Sequence, residues 1–160
     1  MEKIQELKSN SLEFTHMVLD MRLLMNQLNQ TTEITTLSSA KLEAESNFAN
    51  NRKVFVYVLN DELIGYSVLK IEEQVCWLDW LFVKSSFFGK GIASDLFDHA
   101  EKYALELGND QLYIWVHPDN HRMLRFLKKK GYDVLNLLEI KKSKTGANQI
   151  IRIFENEFKY

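Results

Sequence analysis

Residues 83–94 read Val-Lys-Ser-Ser-Phe-Phe-Gly-Lys-Gly-Ile-Ala-Ser, and they join an apolar stretch to an amphipathic one. The apolar residues 77–83 predict a strand, and residues 92–107 predict a helix. A glycine turn between a strand and a helix leaves backbone N–H groups unpaired at the helix start, where the helix dipole is positive. Gly89 and Gly91 carry no Cβ, so a ligand can approach the backbone closely. The stretch therefore predicts an anion site, most simply for a phosphate.

Two common phosphate motifs do not fit this turn. A P-loop needs Gly-x-x-x-x-Gly-Lys-Ser/Thr, whereas these glycines are two apart and no Ser or Thr follows Lys90. A dinucleotide fingerprint needs the turn directly after the strand and an acidic residue about 20 positions further on. Here residues 84–89 intervene, and the chain 20 positions on is still helix or its end at Gly108. We therefore exclude both motifs.

The rest of the chain predicts strands and helices in a mixed order. Upstream we expect a helical region at 4–28, which Asn10 could cap internally, a helix at 39–50, and strands at 54–59, 63–69 and 75–83. Downstream we expect a strand at 112–116, a helix at 120–130, and strands at 132–140 and 150–158 around a polar hairpin at 141–148. This order predicts an α/β fold with a mixed sheet.

Composition limits the class of protein. The 160 residues, 46% hydrophobic and 26% charged, fit one globular domain, and the net charge of −2 indicates no nucleic-acid partner. Cys76 is the single cysteine, so no intramolecular disulfide can form, and no spacing of ligand side chains indicates a metal. No apolar run is long enough for a signal peptide or a membrane span. We expect a cytoplasmic protein without a membrane partner.

Three motifs, in order, resemble the GNAT N-acetyltransferase superfamily. The stretch from Val83 to Ala93 resembles its acetyl-CoA motif, with Phe88 where the family has Arg or Gln. Residues 63–66 (Leu-Ile-Gly-Tyr) resemble a recurrent strand upstream. Residues 116–132, which contain Val-His-Pro-Asp-Asn and end in Gly-Tyr, resemble the second signature, with Leu127 where the family has Tyr.

The resemblance implies a fold and an activity. The fold is a mixed, mostly antiparallel GNAT-type sheet flanked by helices (α/β, also described as α+β). We expect a helical N-terminal region, residues 1–50, in place of the usual first strand, and an acetyl-CoA-binding core at 53–160. The implied activity is transfer of acetyl from acetyl-CoA to a primary amine of a small molecule, peptide or protein N-terminus, in a ternary complex and without a metal. The alternative is a non-catalytic acyl-CoA-binding module that acts as a sensor or assembly part.

The resemblance also implies the residues that bind the cofactor. The pyrophosphate would lie on the backbone of the glycine turn, and the pantetheine arm would pair with the end of the preceding strand like an added strand. The expected cofactor-binding residues are Leu81, Phe82, Val83, Phe88, Gly89, Lys90, Gly91, Ile92, Ala93, Ser94, Asn120 and Phe126.

Asp79 and His117 are the candidate catalytic residues. Asp79 lies in an apolar strand, where a carboxylate is costly to bury without a partner. The resemblance makes it a general base or a binding group for a cationic amine, whereas the structural alternative is an ion pair. His117 ends a predicted strand beside the expected cleft, and histidine is a residue type that often serves as a base, but a surface histidine is the simpler interpretation.

Residues 12–28 carry more apolar side chains than one helix face needs. Burial on two sides, against the sheet and a second copy of the chain, would account for this breadth. We therefore predict a homodimer.

Overall fold

The structure is a computed structural model that describes residues 3–28, 31–73, 75–109, 111–140, 142 and 150–159. The chain divides into two compact units, residues 1–124 and residues 125–160.

A four-stranded antiparallel sheet forms the centre of the first unit. Its strands are β1 (Ile4–Leu7), β2 (Arg52–Leu59), β3 (Glu62–Glu72) and β4 (Val75–Val83), in the order β1-β2-β3-β4. The β2–β3 hairpin turns through Asn60 and Asp61, whose φ angles of 51° and 63° suit these residue types. The fold class predicted from the sequence is confirmed.

The N-terminal strand corrects one part of that prediction. Residues Ile4–Leu7 form β1, which pairs antiparallel with β2, whereas we expected helix here and no first strand. A strand of four residues at a sheet edge is too short to show a two-residue period. The pairing is supported by Lys53, whose Nζ lies 3.0 Å from a carboxylate oxygen of Glu6. Backbone pairing with β2 therefore decides the structure of this segment.

Helices cover both faces of the sheet. Helices α1 (Leu12–Leu28) and α2 (Leu37–Ser46) pack on one face, where α1 begins with the Phe14 N–H donating to Ser11 Oγ at 3.1 Å. Helix α3 (Ile92–Glu106) packs on the other face and ends before Gly108, as predicted. The buried side chains on the α1–α2 face are Phe14, Met17, Val18, Met21, Ala40, Ala44, Val54, Val56, Leu63, Tyr66, Val68 and Phe82.

The predicted strand at 112–116 is reduced to one bridge. Tyr113 pairs in parallel with Trp77 of β4, and the neighbouring residues have no ladder. Leu112 is buried, whereas Trp115 is 72% exposed and contacts β4 through the ring of Trp77, with the two ring centroids 4.9 Å apart. Helix α4 (His121–Lys129) follows where a helix was predicted.

The second unit begins inside α4 and contains a small hairpin. Strands β5 (Ile150–Ile153) and β6 (Asn156–Lys159) pair with each other. The single strand predicted at 150–158 is wrong because Phe154 has a φ of 54°, which turns the chain back on itself. Residues 132–140 have no regular structure, contrary to prediction, because no strand pairs with them in the described part of the chain. The predicted polar hairpin at 141–148 lies outside the described residues, apart from residue 142.

Among the described residues, no helix combines the length and the apolar composition that a membrane span requires.

Candidate cofactor and acceptor site

A β-bulge in β4 lies at Asp79. Leu78 lies opposite Leu69 of β3, and Trp80 lies opposite the next residue of β3, Val68. Asp79 is therefore an extra residue on β4. After it, the residues that would have directed their backbone N–H and C=O groups towards β3 direct them away from β3, and the reverse.

Before the bulge, the outer edge of β4 is paired. The Tyr113 N–H donates to the Cys76 carbonyl, and the Leu78 N–H donates to the Tyr113 carbonyl, both at 2.9 Å. This pairing stops at the bulge.

After the bulge, the outer edge of β4 is open among the described residues. The Lys84 N–H donates to the Ile64 carbonyl of β3 at 2.9 Å, so Lys84 faces the sheet. Because alternate residues of a strand present their backbone groups to opposite edges, Leu81 and Val83 direct their N–H and C=O groups outward. An extended ligand can pair here as an added strand.

The glycine turn follows this open edge directly. A 3₁₀ turn at Ser85–Phe87 leads to Gly89 and Gly91, whose φ angles are 77° and 82°. Gly91 is the N-cap of α3 and provides no side-chain hydrogen bond, so the first amides of the helix lack side-chain partners. The turn therefore has the backbone donors that an anion requires.

The start of α3 is anchored to the end of β4. The buried side chains of Val83, Ile92 and Leu96 form one cluster, with Leu81 and Ala93 packed against it. The backbones of β4 and of the glycine turn are thus held next to each other. Of the remaining predicted cofactor residues in this region, Phe82 has its side chain in the core on the α1–α2 face, and Ser94 is half-buried.

Two cationic side chains form cation–π contacts with aromatic rings that precede the glycines in the chain. The Lys90 ammonium lies 4.7 Å from the ring centroid of Phe87. The guanidinium carbon of Arg122, from α4, lies 3.5 Å from the ring centroid of Phe88. The sequence did not identify Arg122, since no pattern relates it to a ring so distant in the chain.

Asn120 has a capping role in the structure. Its side-chain oxygen accepts the Met123 N–H at 3.1 Å, as expected of an N-cap. His117 Nδ1 accepts the Asp119 N–H at 3.2 Å. Since Nδ1 accepts this hydrogen bond, the proton of a neutral His117 ring is assigned to Nε2, which can then act as a donor.

Asp79 forms an ion pair with Arg52. Arg52 Nη1 lies 2.7 Å from Asp79 Oδ2, and the two side chains are only 21% and 16% exposed. Arg52 Nη1 also donates to the side-chain oxygen of Asn47 at 3.2 Å. The ion pair considered as the structural role of Asp79 is therefore present, and the catalytic role of Asp79 stays a prediction.

A charged cluster on the α1–α2 face lies beside the bulge, and sequence analysis did not find it. Arg22 of α1 donates to both carboxylate oxygens of Glu43 of α2, each at 2.5 Å. The Arg22 guanidinium carbon also lies 4.8 Å from the ring centroid of Trp80, the residue after Asp79. Tyr66 is completely buried nearby, and burial raises the pKa of its hydroxyl. The Arg22–Glu43 ion pair therefore lies on the α1–α2 side of β4, against the ring of Trp80.

Phe126 and Leu127 belong to the second unit. Phe126 is half-buried, and Leu127 is 6% exposed.

In the parts of the chain that the structure describes, no three His, Cys, Asp or Glu side chains are grouped so as to hold a metal ion. Cys76 is buried, and burial raises the pKa of its thiol to about 11, so it is a poor nucleophile.

The model of the acetyltransferase (GNAT) family matches residues 20–132. A search of curated proteins gave no match.

Solved structures of similar fold include acetyltransferases. An aminoglycoside acetyltransferase, meta-AAC0020 from an uncultured soil metagenomic sample, is 18% identical with a TM-score of 0.66, over 90% of this chain and 96% of the other. An integron cassette protein from the mobile metagenome of V. cholerae is 19% identical with a TM-score of 0.69, over 89% and 91%. AAC(6')-Iy, in complex with the bisubstrate analogue CoA-S-monomethyl-acetylneamine, is 16% identical with a TM-score of 0.65, over 89% and 97%. At these identities the likeness concerns the fold.

Proposed function

The chain belongs to the GNAT acetyltransferase family, and on that premise we propose that it is an N-acetyltransferase with a primary amine as acceptor. Its cosubstrate is acetyl-CoA. The acceptor amine would belong to a small molecule, a peptide or a protein N-terminus. Two neighbours of similar fold are aminoglycoside acetyltransferases, which supports a small-molecule amine.

The observation that carries the proposal is the open edge of β4 next to the glycine turn. The bulge at Asp79 turns the backbone groups of Leu81 and Val83 outward, and the strand then leads directly to the amides at the start of α3. Coenzyme A has an amide-bearing pantetheine arm and a diphosphate, which match these two features in the same order. The thioester would then lie beside the bulge.

Transfer would proceed by direct attack in a ternary complex. The amine nitrogen attacks the thioester carbonyl carbon, a C–N bond forms, the C–S bond breaks, and coenzyme A leaves as its thiolate. A thiol pKa of about 8.5 allows the thiolate to depart with little protonation, so a buried Leu127 in place of a tyrosine is compatible with turnover. Holding the two reactants together contributes up to about 7–11 kcal/mol.

The proton that the amine loses needs an acceptor, and we assign this role to Asp79, directly or through water. Asp79 lies at the bulge, where the thioester is expected. Its ion pair with Arg52 competes with this role, so a base function requires the amine or a water to share the carboxylate. His117 is the second candidate. Because its Nδ1 accepts a backbone N–H, it would act as a base only after that hydrogen bond opens.

The decisive experiment is release of coenzyme A thiol from acetyl-CoA across a panel of amines. The panel should contain aminoglycosides, polyamines, amino acids and short peptides, with binding of coenzyme A followed in parallel by thermal shift. We expect thermal stabilisation by coenzyme A and turnover with at least one amine. The buried Cys76 should not contribute to the thiol signal.

Two outcomes would contradict the enzyme proposal. Binding of coenzyme A without thiol release for any amine would favour the non-catalytic acyl-CoA-binding module, which Phe88 and Leu127 motivate as departures from the family motifs. Absence of coenzyme A binding would reject both functions.

A further inference from the structure

Phe88 and Arg122 stack at the entrance to the glycine turn. Phe88 immediately precedes Gly89 and is 41% exposed, and Arg122 lies in the first turn of α4 with an exposed side chain. Their separation of 3.5 Å, from guanidinium carbon to ring centroid, is that of a close cation–π contact. The contact restrains a side chain that would otherwise move freely in solvent.

The stacked arginine keeps its hydrogen-bonding capacity. A guanidinium has five N–H donors around its plane, and stacking occupies its face rather than these donors. In the described residues, no carboxylate lies within ion-pair distance of Arg122, whereas Arg22 and Arg52 are paired with Glu43 and Asp79. The charge of Arg122 is therefore available to a ligand.

We propose that Arg122 binds the diphosphate of coenzyme A, together with the backbone amides of the glycine turn. The assignment rests on the proposed function. Phe88 stands where the family motif has Arg or Gln, so the turn lacks the long polar side chain expected there. Arg122 supplies a cation at this position from another helix, and Phe88 is the platform that orients it. Lys90 adds a second positive charge as a compact ammonium.

The platform distinguishes this arrangement from a solvated surface charge. A planar guanidinium held on a ring can meet two phosphate oxygens with two parallel N–H groups, which an ammonium cannot do. Arg122 therefore acts together with Phe88, and the two side chains should be coupled in a double-mutant cycle.

The test is calorimetric titration of the full chain with coenzyme A, with dephospho-coenzyme A, which keeps the diphosphate but lacks the 3′-phosphate, and with pantetheine, which has no phosphate. We expect Arg122→Gln to lower the affinities for coenzyme A and for dephospho-coenzyme A alike, by at least about tenfold, and to leave the affinity for pantetheine unchanged. Arg122→Lys should retain part of the affinity. Phe88→Leu should weaken coenzyme A binding about fivefold. The double variant with Phe88→Leu and Arg122→Gln should bind coenzyme A only slightly more weakly than Arg122→Gln alone.

Lys102→Gln is the matched control, because it removes an exposed cation from α3 away from the glycine turn. It should bind all three ligands as the native chain does, and every variant should keep the native melting temperature. A loss of affinity for coenzyme A but not for dephospho-coenzyme A would mean that Arg122 binds the 3′-phosphate, and it would overturn the diphosphate assignment. Native affinity of Arg122→Gln would overturn the proposal while leaving the proposed function intact, whereas a native chain that binds no coenzyme A would overturn both.

Discussion

Asp79 carries a charge at the point where β4 changes its hydrogen-bonding edge, and its partner is Arg52. The position suits a base beside the thioester, and the ion pair suits a structural role that links β4 to β2 across β3. The two roles differ in what they predict for activity and stability. Removing one partner of a largely buried ion pair leaves the other charge without compensation, which destabilises the fold.

Asp79→Asn should separate the two roles. If the carboxylate accepts the proton or binds a cationic amine, kcat/KM should fall by about 100-fold or more while the affinity for coenzyme A stays unchanged. Steady-state kinetics and calorimetry measure the two quantities. Arg52→Gln is the control, since it breaks the same ion pair but keeps the carboxylate. Normal turnover of Asp79→Asn with a lowered melting temperature would assign Asp79 to the structure instead.

At the scale of elements, the glycine turn joins β4 to α3. Gly91 has a φ of 82°, and a Cβ added to it would meet no atom within 4 Å. The space above the turn is therefore open to a ligand, and the glycine is needed locally for its backbone conformation.

Gly91→Ala should lower the affinity for coenzyme A by at least about tenfold, which is about 1.4 kcal/mol of binding free energy. The added methyl group enters the space of the ligand and strains the turn. The matched control is Gly108→Ala at the far end of α3, where φ is 86° and a Cβ also meets nothing within 4 Å. Both variants should lose similar stability, of about 1 kcal/mol, measured by thermal melting. Equal affinity of the two variants for coenzyme A, measured by calorimetry, would contradict binding at the turn.

The ion pair between Glu6 and Lys53 adds to the backbone pairing of β1 with β2, and it makes stability depend on pH. Hydrogen bonds from Lys8 and Lys53 hold the pKa of the Glu6 carboxyl below its ordinary value. A carboxyl whose pKa is lowered in the folded state stabilises the fold above its unfolded pKa of about 4.3 and loses this contribution as pH falls through the folded pKa.

Glu6→Gln should therefore cost about 0.5 kcal/mol of unfolding free energy at pH 6 and less at pH 3, where protonation of the native carboxyl weakens the pair. Urea denaturation at the two pH values measures the difference. High salt should reduce the cost at pH 6, since this pair is partly exposed. A cost that is equal at both pH values would show that Glu6 acts by packing rather than by charge.

At the scale of the whole molecule, α1 has apolar side chains that the core does not cover. Met17, Val18 and Met21 are buried against the sheet, whereas Leu23 and Leu24 are 45% and 43% exposed. This distribution agrees with the breadth of the apolar stripe in the sequence, and the homodimer stays a prediction.

We predict that light scattering at tens of micromolar will give the mass of a dimer. Leu24→Glu should convert it to a monomer, because a charge in an apolar interface is costly to desolvate. Leu105→Glu is the control, since Leu105 is 60% exposed on α3 and lies outside the predicted interface. A monomer mass for the native chain would reject the prediction.

The sequence by itself determined the features that depend on neighbouring residues. The glycine turn before α3, the turn at Asn60 and Asp61, the Asn120 cap of α4 and the glycines that follow α3 and α4 all arise from conformational preferences within a few positions. Such preferences act wherever the segment lies in the fold, which is why they could be predicted.

Only the tertiary structure decided the features that depend on pairing between distant segments. Strand β1 forms because β2 offers it an edge, and residues 132–140 have no regular structure because no described strand pairs with them. The bulge at Asp79 is set by the register against β3. The contacts of Asp79 with Arg52 and of Phe88 with Arg122 join residues far apart in the chain. Packing of whole elements places these groups together, and no local pattern encodes where a distant partner will lie.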